Sequence, residues 1–262
     1  SLFFYVGDDL YSLKVPTDHP HPYGNPEPSK SRLSDRAELA VHRSQAIKDR
    51  DARGSPSPYL QILYDAAAYL ERETGNGIVV RDLRPLQDGN FYLPGFAVAF
   101  AGREILAHLR SDQRFQEFWA VHYAEAVGRA KAELLLRYGL QMNAPNAQNI
   151  LVQLDKNFLP TGKIFFRDLS DSKYFENVAL PLGAEDAVRR DIQSGVRPAA
   201  LLNIKTEDSF WKMDQAGLDP RLLDTWEARH DAALTNRRVH ELGLAPGKYR
   251  DLDDLQGFFA TD

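Results

Sequence analysis

Residues 145–171, PNAQNILVQLDKNFLPTGKIFFRDLSD, read as two short apolar strands around a turn. Leu151-Val152-Gln153-Leu154 and Lys163-Ile164-Phe165-Phe166 match in length, and the intervening DKNFLPTG supplies Asp, Asn, Pro and Gly for the reversal. Pairing Leu154 near Lys163 brings Asn149 beside Asp168 at the open end. Asn146, Gln148 and Arg167 lie close by. An amide oxygen and a carboxylate converging there form a hard-oxygen site that suits Mg²⁺ better than zinc. The alternative is that Asn149 and Asp168 cap the hairpin ends by bonding backbone N–H groups.

Upstream, LFFYVGDDLYSLKV (2–15) predicts a β-hairpin turning at Gly7-Asp8-Asp9, with Lys14 near its end. The following PTDHPHPYGNPEPSK (16–30) holds five prolines and is neither helix nor central strand. Its His19 and His21 share a face of an extended backbone, with Lys30 and Arg32 downstream. These four form a candidate substrate- or phosphate-contacting loop. A solvent-facing, proline-rich surface loop is the competing reading.

A helix is expected from Ser34, ended by Ser55-Pro56, and a second over Tyr59, Leu63, Ala67 and Leu70. Ile78–Asp82 reads as a short strand. The longest periodic segment, Asp112 to Arg137, aligns Phe115, Trp119, His122, Ala126, Ala130 and Leu134, and Gly139 provides its stop. On that stripe His122 reads as a core histidine, and Trp211 and Trp226 read as packing residues of a helical tail. Further helices are expected at 184–194 and 220–242. The order of elements predicts an α+β protein: a small N-terminal β lobe with the Pro-rich loop (1–33), a helical lobe around the central hairpin (34–176), and a helical C-terminal extension (177–262).

Composition narrows the chemistry. The 262-residue chain has no cysteine, which excludes disulfides, thiolate zinc sites and cysteine nucleophiles. A formal net charge of −5 without a basic stripe argues against a nucleic-acid partner. No apolar run approaches the roughly 20 residues that span a bilayer, and no signal-like segment opens the chain. A cytoplasmic protein without a membrane partner is the expectation, its oligomeric state left open. Starting at Ser1 rather than Met fits a processed chain or a fragment. There is no P-loop, Rossmann fingerprint or GxSxG elbow.

A strand lysine, a long helix, an Asn entering one strand and an Asp leaving the next occur in this order in kinase-like ATP sites. Lys14 is then the phosphate-contacting lysine. A more particular resemblance covers GIVVRD (77–82), YLP (92–94), RYGL (137–140), QNILVQLD (148–155) and FFRD (165–168), with LKVPTD (13–18) before them. These segments resemble the C-terminal half of the aerobactin-type, nonribosomal-peptide-independent siderophore synthetases. That likeness implies a palm-and-fingers fold using ATP and Mg²⁺. It also implies adenylation of a carboxylate of citrate or a related acid and transfer of the acyl group to an amine or hydroxyl.

Carried onto this sequence, the likeness places Lys14 toward phosphates and Asn149 and Asp168 on metal or nucleotide, with Asn146 and Gln148 alongside. It makes Arg167 a phosphate or substrate contact. Catalytic roles fall to Lys14, Arg167 and Asp168. The chain departs from the family where a Glu and a His precede the Gln-Asn pair; Ala144 and Asn146 stand there. A phosphotransferase acting on a small molecule or protein is the second reading. No carboxylate lies between Asn143 and Gln148 to serve it as base, so Asp82 or Asp171 would have to. A degenerate nucleotide-binding or scaffold module is the third.

Overall fold

The computed structural model describes residues 2–15, 32–54, 56–71, 76–142, 146–196 and 225–233. Strands β1 (Leu2–Val6) and β2 (Asp9–Lys14) form the expected hairpin, Val6 opposite Asp9 and Leu2 opposite Leu13. Gly7 takes φ +61° in its two-residue turn, a conformation open to glycine at little cost. Helix α1 (Arg32–Asp51) follows.

The segment expected as a second helix is instead two strands, β3 (Leu60–Ile62) and β4 (Asp65–Glu71). The four-residue spacing of Tyr59, Leu63 and Ala67 was coincidental, and tertiary pairing overrides it. Leu60 and Ile62 alternate into the core opposite Ile164 and Phe166. Strand β5 (Asn76–Asp82) pairs antiparallel with both β4 and β2. The N-terminal hairpin is thus half of a four-stranded sheet, β1-β2-β5-β4, whose other half comes from residues 65–82.

A short β6 (Phe91–Pro94) and helix α2 (Val98–His108) lead into the long helical segment. It is continuous but not uniform: α3 (Phe115–Trp119), a π-helical turn (Ala120–Glu125) and α4 (Ala126–Tyr138). The wider turn shifts the apolar stripe by one residue. Tyr123, fully buried, takes the place expected for His122. His122 is half-buried against the Phe118 ring, and burial first, then Arg129, pushes its imidazole below the ordinary range.

Gly139 closes α4 at φ +66°, its N–H donating to Leu135 O at 2.7 Å. A Cβ there would lie 2.5 Å from Ala179 Cα and 2.9 Å from its nitrogen. Gly139→Ala should therefore cost on the order of 2 kcal/mol, from left-handed strain plus overpacking. Urea unfolding at unchanged m-value measures it, and a cost near zero would show that the helix end can move away.

Strand β7 (Leu140–Met142) then precedes the central hairpin, β8 (Ile150–Leu154) and β9 (Pro160–Phe166). These occupy the middle of a second sheet, β3-β9-β8-β6, with β3 parallel to β9 and β6 antiparallel to β8. Both faces of the hairpin are covered, which explains its nearly unbroken apolar run. Ile150, Val152, Leu154, Ile164 and Phe166 join the main core with the α3–α4 helices. Leu151 and Phe165 point the other way, into a smaller cluster with Leu63 and Leu83 and with Leu10 of β2. That cluster seats the first sheet on the second.

Strand β10 (Ser172–Tyr174) pairs with β7, and helices α5 (Glu176–Ala179) and α6 (Glu185–Gln193) follow. Residues 225–233 are helical. Trp226 is fully buried there, its Nε1 donating to Gln116 O at 3.0 Å, a packing residue as expected. Trp211 lies outside the described residues. Sheets carrying helices on their faces make this a mixed fold consistent with the α+β expectation.

Candidate functional site

An ion pair joins the two sheets at their ends. Lys14, the last residue of β2, donates from Nζ to Asp168 Oδ2 at 2.7 Å, across 154 positions of sequence. Asp168 stands just past β9 with φ 65° and ψ 66°, a left-handed conformation that Asp tolerates better than most side chains. What holds it there is the following turn, Leu169–Asp171. Leu169 is fully buried, and Arg43 Nη1 donates to the carbonyls of Leu169 and Ser170 at 2.8 and 2.9 Å. Ser170 Oγ donates to Asp168 Oδ1 at 2.8 Å.

Burial alone would raise the Asp168 carboxyl. Lys14, Arg81 and the Ser170 hydroxyl outweigh it and hold it below the ordinary carboxylate range. For a depressed acid, the associated stability is fully present above the ordinary value and disappears as pH falls through the lowered one. The pair is thus intact throughout the neutral range.

Two guanidiniums flank it. Arg167 donates from Nε and Nη2 to Gln148 O at 3.1 and 2.6 Å, clamping the entrance of β8 to the exit of β9. Burial lowers its affinity for a proton, as does the nearby positive charge of Arg81, while Asp168 opposes both. Arg81, on β5, donates from Nε to Asp65 Oδ1 at 2.8 Å in a buried pair. Burial raises Asp65 despite this partner. The Arg81 Nη2 atom is buried and has no acceptor among the described residues. Three cations and two carboxylates thus gather at the sheet ends, leaving one positive charge in excess.

The hairpin register differs from the sequence-based expectation by one residue at the open end and by three beside the turn. An irregularity between Val152 and Leu154 puts Leu154 opposite Pro160 and Ile150 opposite Phe166. Asn149 therefore faces Arg167, whose N–H donates to Asn149 O at 3.1 Å, and its amide makes no hydrogen bond to Asp168. Asn146 O accepts from Asn149 N at 2.7 Å as the chain enters the turn Ala147–Asn149. Gln148 contributes its carbonyl here, its residue being otherwise exposed.

The fold brings together Lys14, Asn146, Gln148, Asn149, Arg167 and Asp168. His19, His21 and Lys30 lie outside the described residues, as does the side chain of Arg32, which begins α1. Of the two alternative bases, Asp82 is buried and held by Arg84 at 2.6 Å, a structural pair; the side chain of Asp171 lies outside the described set. Arg81, Asp65, Ser170 and Arg43 escaped the sequence reading. A lone arginine inside GIVVRD was the available signal, since a charge in an otherwise apolar strand needs a partner.

For a divalent cation the donor set is sparse. Among the described residues no three His, Asp or Glu side chains cluster for metal binding. One carboxylate and a neighbouring amide fit Mg²⁺ that arrives with phosphate oxygens and water, not a resident ion. Among the described residues no helix is long and apolar enough to cross a membrane.

No protein family's sequence profile matches this chain, and no curated protein matches it either. Its fold is similar to solved structures from a hypervirulent pathotype of Klebsiella pneumoniae. Aerobactin synthetase IucA aligns with TM-score 0.57 at 16% identity over 88% of this chain and 45% of that one. ATP-bound IucA aligns with TM-score 0.54 at 17% identity over 88% and 45%. Aerobactin synthetase IucC gives 0.55 at 12% identity over 90% and 44%. The chain spans less than half the length of these proteins, and what it shares with them is the fold of that portion.

Proposed function

We propose that the cluster of Lys14, Arg81, Arg167 and Asp168 at the two sheet ends binds ATP with Mg²⁺ and serves to activate a carboxylate by adenylation. The observation that carries this reading is the Lys14–Asp168 contact, flanked by Arg81 and Arg167. A lysine parked on a carboxylate beside a buried guanidinium N–H without an acceptor is poised to exchange its partner for a phosphate oxygen. The likeness to an ATP-bound aerobactin synthetase supports the choice of nucleotide.

In this proposal Lys14 and Arg167 neutralise the phosphates. Asp168, released by Lys14, holds Mg²⁺ together with the Asn149 amide, and Asn146 and Gln148 border the nucleotide. The metal, when bound, supplies charge neutralisation to the phosphate chain. A carboxylate oxygen of the acid substrate attacks the α-phosphorus, the bond to the bridging oxygen breaks, and pyrophosphate leaves. An ionised carboxylate needs no general base, whereas phosphoryl transfer to a hydroxyl does. Asp82, locked on Arg84, is no such base, which favours adenylation.

Thermal-shift titration with ATP and MgCl₂ tests the site. The melting temperature should rise with nucleotide as RT ln(1 + [L]/Kd). No shift at millimolar nucleotide would sink both the adenylation and the phosphoryl-transfer readings. Turnover with hydroxylamine and a panel of polycarboxylates should release pyrophosphate; ADP release would identify phosphoryl transfer instead. A shift without either product would describe a nucleotide-binding module.

A further inference from the structure

Behind the turn that carries Asp168, α1 and α6 enclose a cavity of about 350 Å³. Arg43, Ala46, Arg50 and Arg53 reach it at helical spacing, three or four residues apart, and Ala46 leaves the room between them. Arg190 comes from α6 and meets His42, Nη1 to Nδ1 at 3.3 Å.

The balance of charge is the notable feature. Three carboxylates also line the cavity, and each is engaged or displaced. Asp191 is consumed by Arg43 Nη2 at 2.6 Å, in a pair buried on both sides. Asp49 Oδ1 accepts from the Gln45 amide at 2.7 Å. Asp186 stands on the solvent rim, its side chain 88% exposed, near Arg189. The remaining guanidiniums have only neutral partners among the described residues. Arg50 Nη1 donates to Leu182 O at 2.7 Å, and Arg53 Nε to Asp49 O at 3.0 Å. Arg43 is 1% exposed, and its Nε has no acceptor among the described residues. Leaving a buried guanidinium N–H unmatched is costly, and a cavity beside it gives an acceptor a place to sit. Planar guanidinium forks match carboxylate and phosphate oxygens in pairs.

We propose that this cavity is a second binding site, distinct from the Lys14–Asp168 site, for a small oxyanion of two or more charges. Phosphate esters and polycarboxylates share that chemistry. Arg50, Arg190 and the Arg43 Nε hold the ligand; Arg53 completes a positive rim, and the His42 ring lies beside Arg190. Since Arg43 also carries the carbonyls of Leu169 and Ser170, the site's inner wall is the support of the Asp168 turn.

Isothermal titration of the full chain at low ionic strength tests this, with pyrophosphate in one arm and propane-1,2,3-tricarboxylate in the other. Each titration is repeated on a Lys14→Ala chain, so that anion bound at the proposed nucleotide site is recognised. Saturable binding of either anion that persists in Lys14→Ala is the expected result, and the arm that binds identifies the source. Arg190→Gln and Arg50→Gln should each weaken it by about tenfold, the loss of one charge-assisted hydrogen bond. Arg43→Ala is avoided because it would strand Asp191 in the interior. Absence of binding by both anions at millimolar concentration overturns the proposal. So does binding that survives both arginine substitutions but disappears in Lys14→Ala. Neither result bears on ATP binding at the Lys14–Asp168 site, which the thermal-shift titration reads separately.

Discussion

Lys14→Ala should lower the affinity for MgATP by up to about 100-fold, the consequence of losing one charge-assisted contact to phosphate. Asp168→Asn should abolish the Mg²⁺ dependence of binding, because an amide cannot replace a carboxylate on a hard cation. Neither change should unfold the protein. The Lys14 and Asp168 side chains are 36% and 21% exposed, so solvent screens their pairing, which contributes no more than about 1 kcal/mol. Asn also tolerates the left-handed backbone at position 168. Calorimetric titration beside a urea melt separates the two effects. Unchanged nucleotide affinity in Lys14→Ala, with the fold intact, would leave the ion pair a purely structural bolt between the sheets.

Trp119→Ala is expected to cost about 3–5 kcal/mol, in the range of the largest core truncations. Trp119 has no exposed surface and sits where the α3 helix passes into the π-helical turn. Its indole Nε1 donates to Gly102 O at 3.2 Å and lies 2.6 Å from where a Gly102 Cβ would stand. Phe118 meets its ring edge at 5.2 Å between centroids. Removing the indole opens a void between α2 and α3 and takes from the Gly102 carbonyl the donor it has besides the helical ladder. A loss of that size is a large fraction of the ~5–15 kcal/mol that domains possess. The urea midpoint should fall at constant m-value. A change in m instead would show that the helical layer unfolds apart from the sheets.

Much of this was legible along the chain because it depended on neighbours in sequence. The Gly7 turn, the Gly139 helix stop and the apolar strands of 150–166 are local signals, and each forms where expected. The segment 59–71 was misread because its i, i+4 pattern is weaker than pairing with β9 and β5, which no local window contains. The hairpin was placed correctly, but its register was off by one residue at the open end and by three beside the turn. The ladder shifts between Val152 and Leu154, an irregularity that alternation along the chain does not reveal. The π turn that displaced His122 from the apolar stripe is likewise a product of how the long helix meets its surroundings.

The site divides in the same way. Lys14, Asn149, Arg167 and Asp168 could be nominated from residue type and order along the chain, since strand ends collect polar groups whose chemistry is characteristic. Arg81 and Arg43 could not, because their importance comes from what burial denies them. Among the described residues, one is left with an N–H lacking an acceptor beside the Lys14–Asp168 pair, the other with one beside a cationic cavity. What the sequence by itself determined was therefore the local elements and the set of polar groups at their ends. Tertiary structure decided which of those ends meet. Charge pairing across 154 residues and the cost of an unmatched buried donor depend on three-dimensional distance and solvent exclusion, which spacing along the chain does not encode.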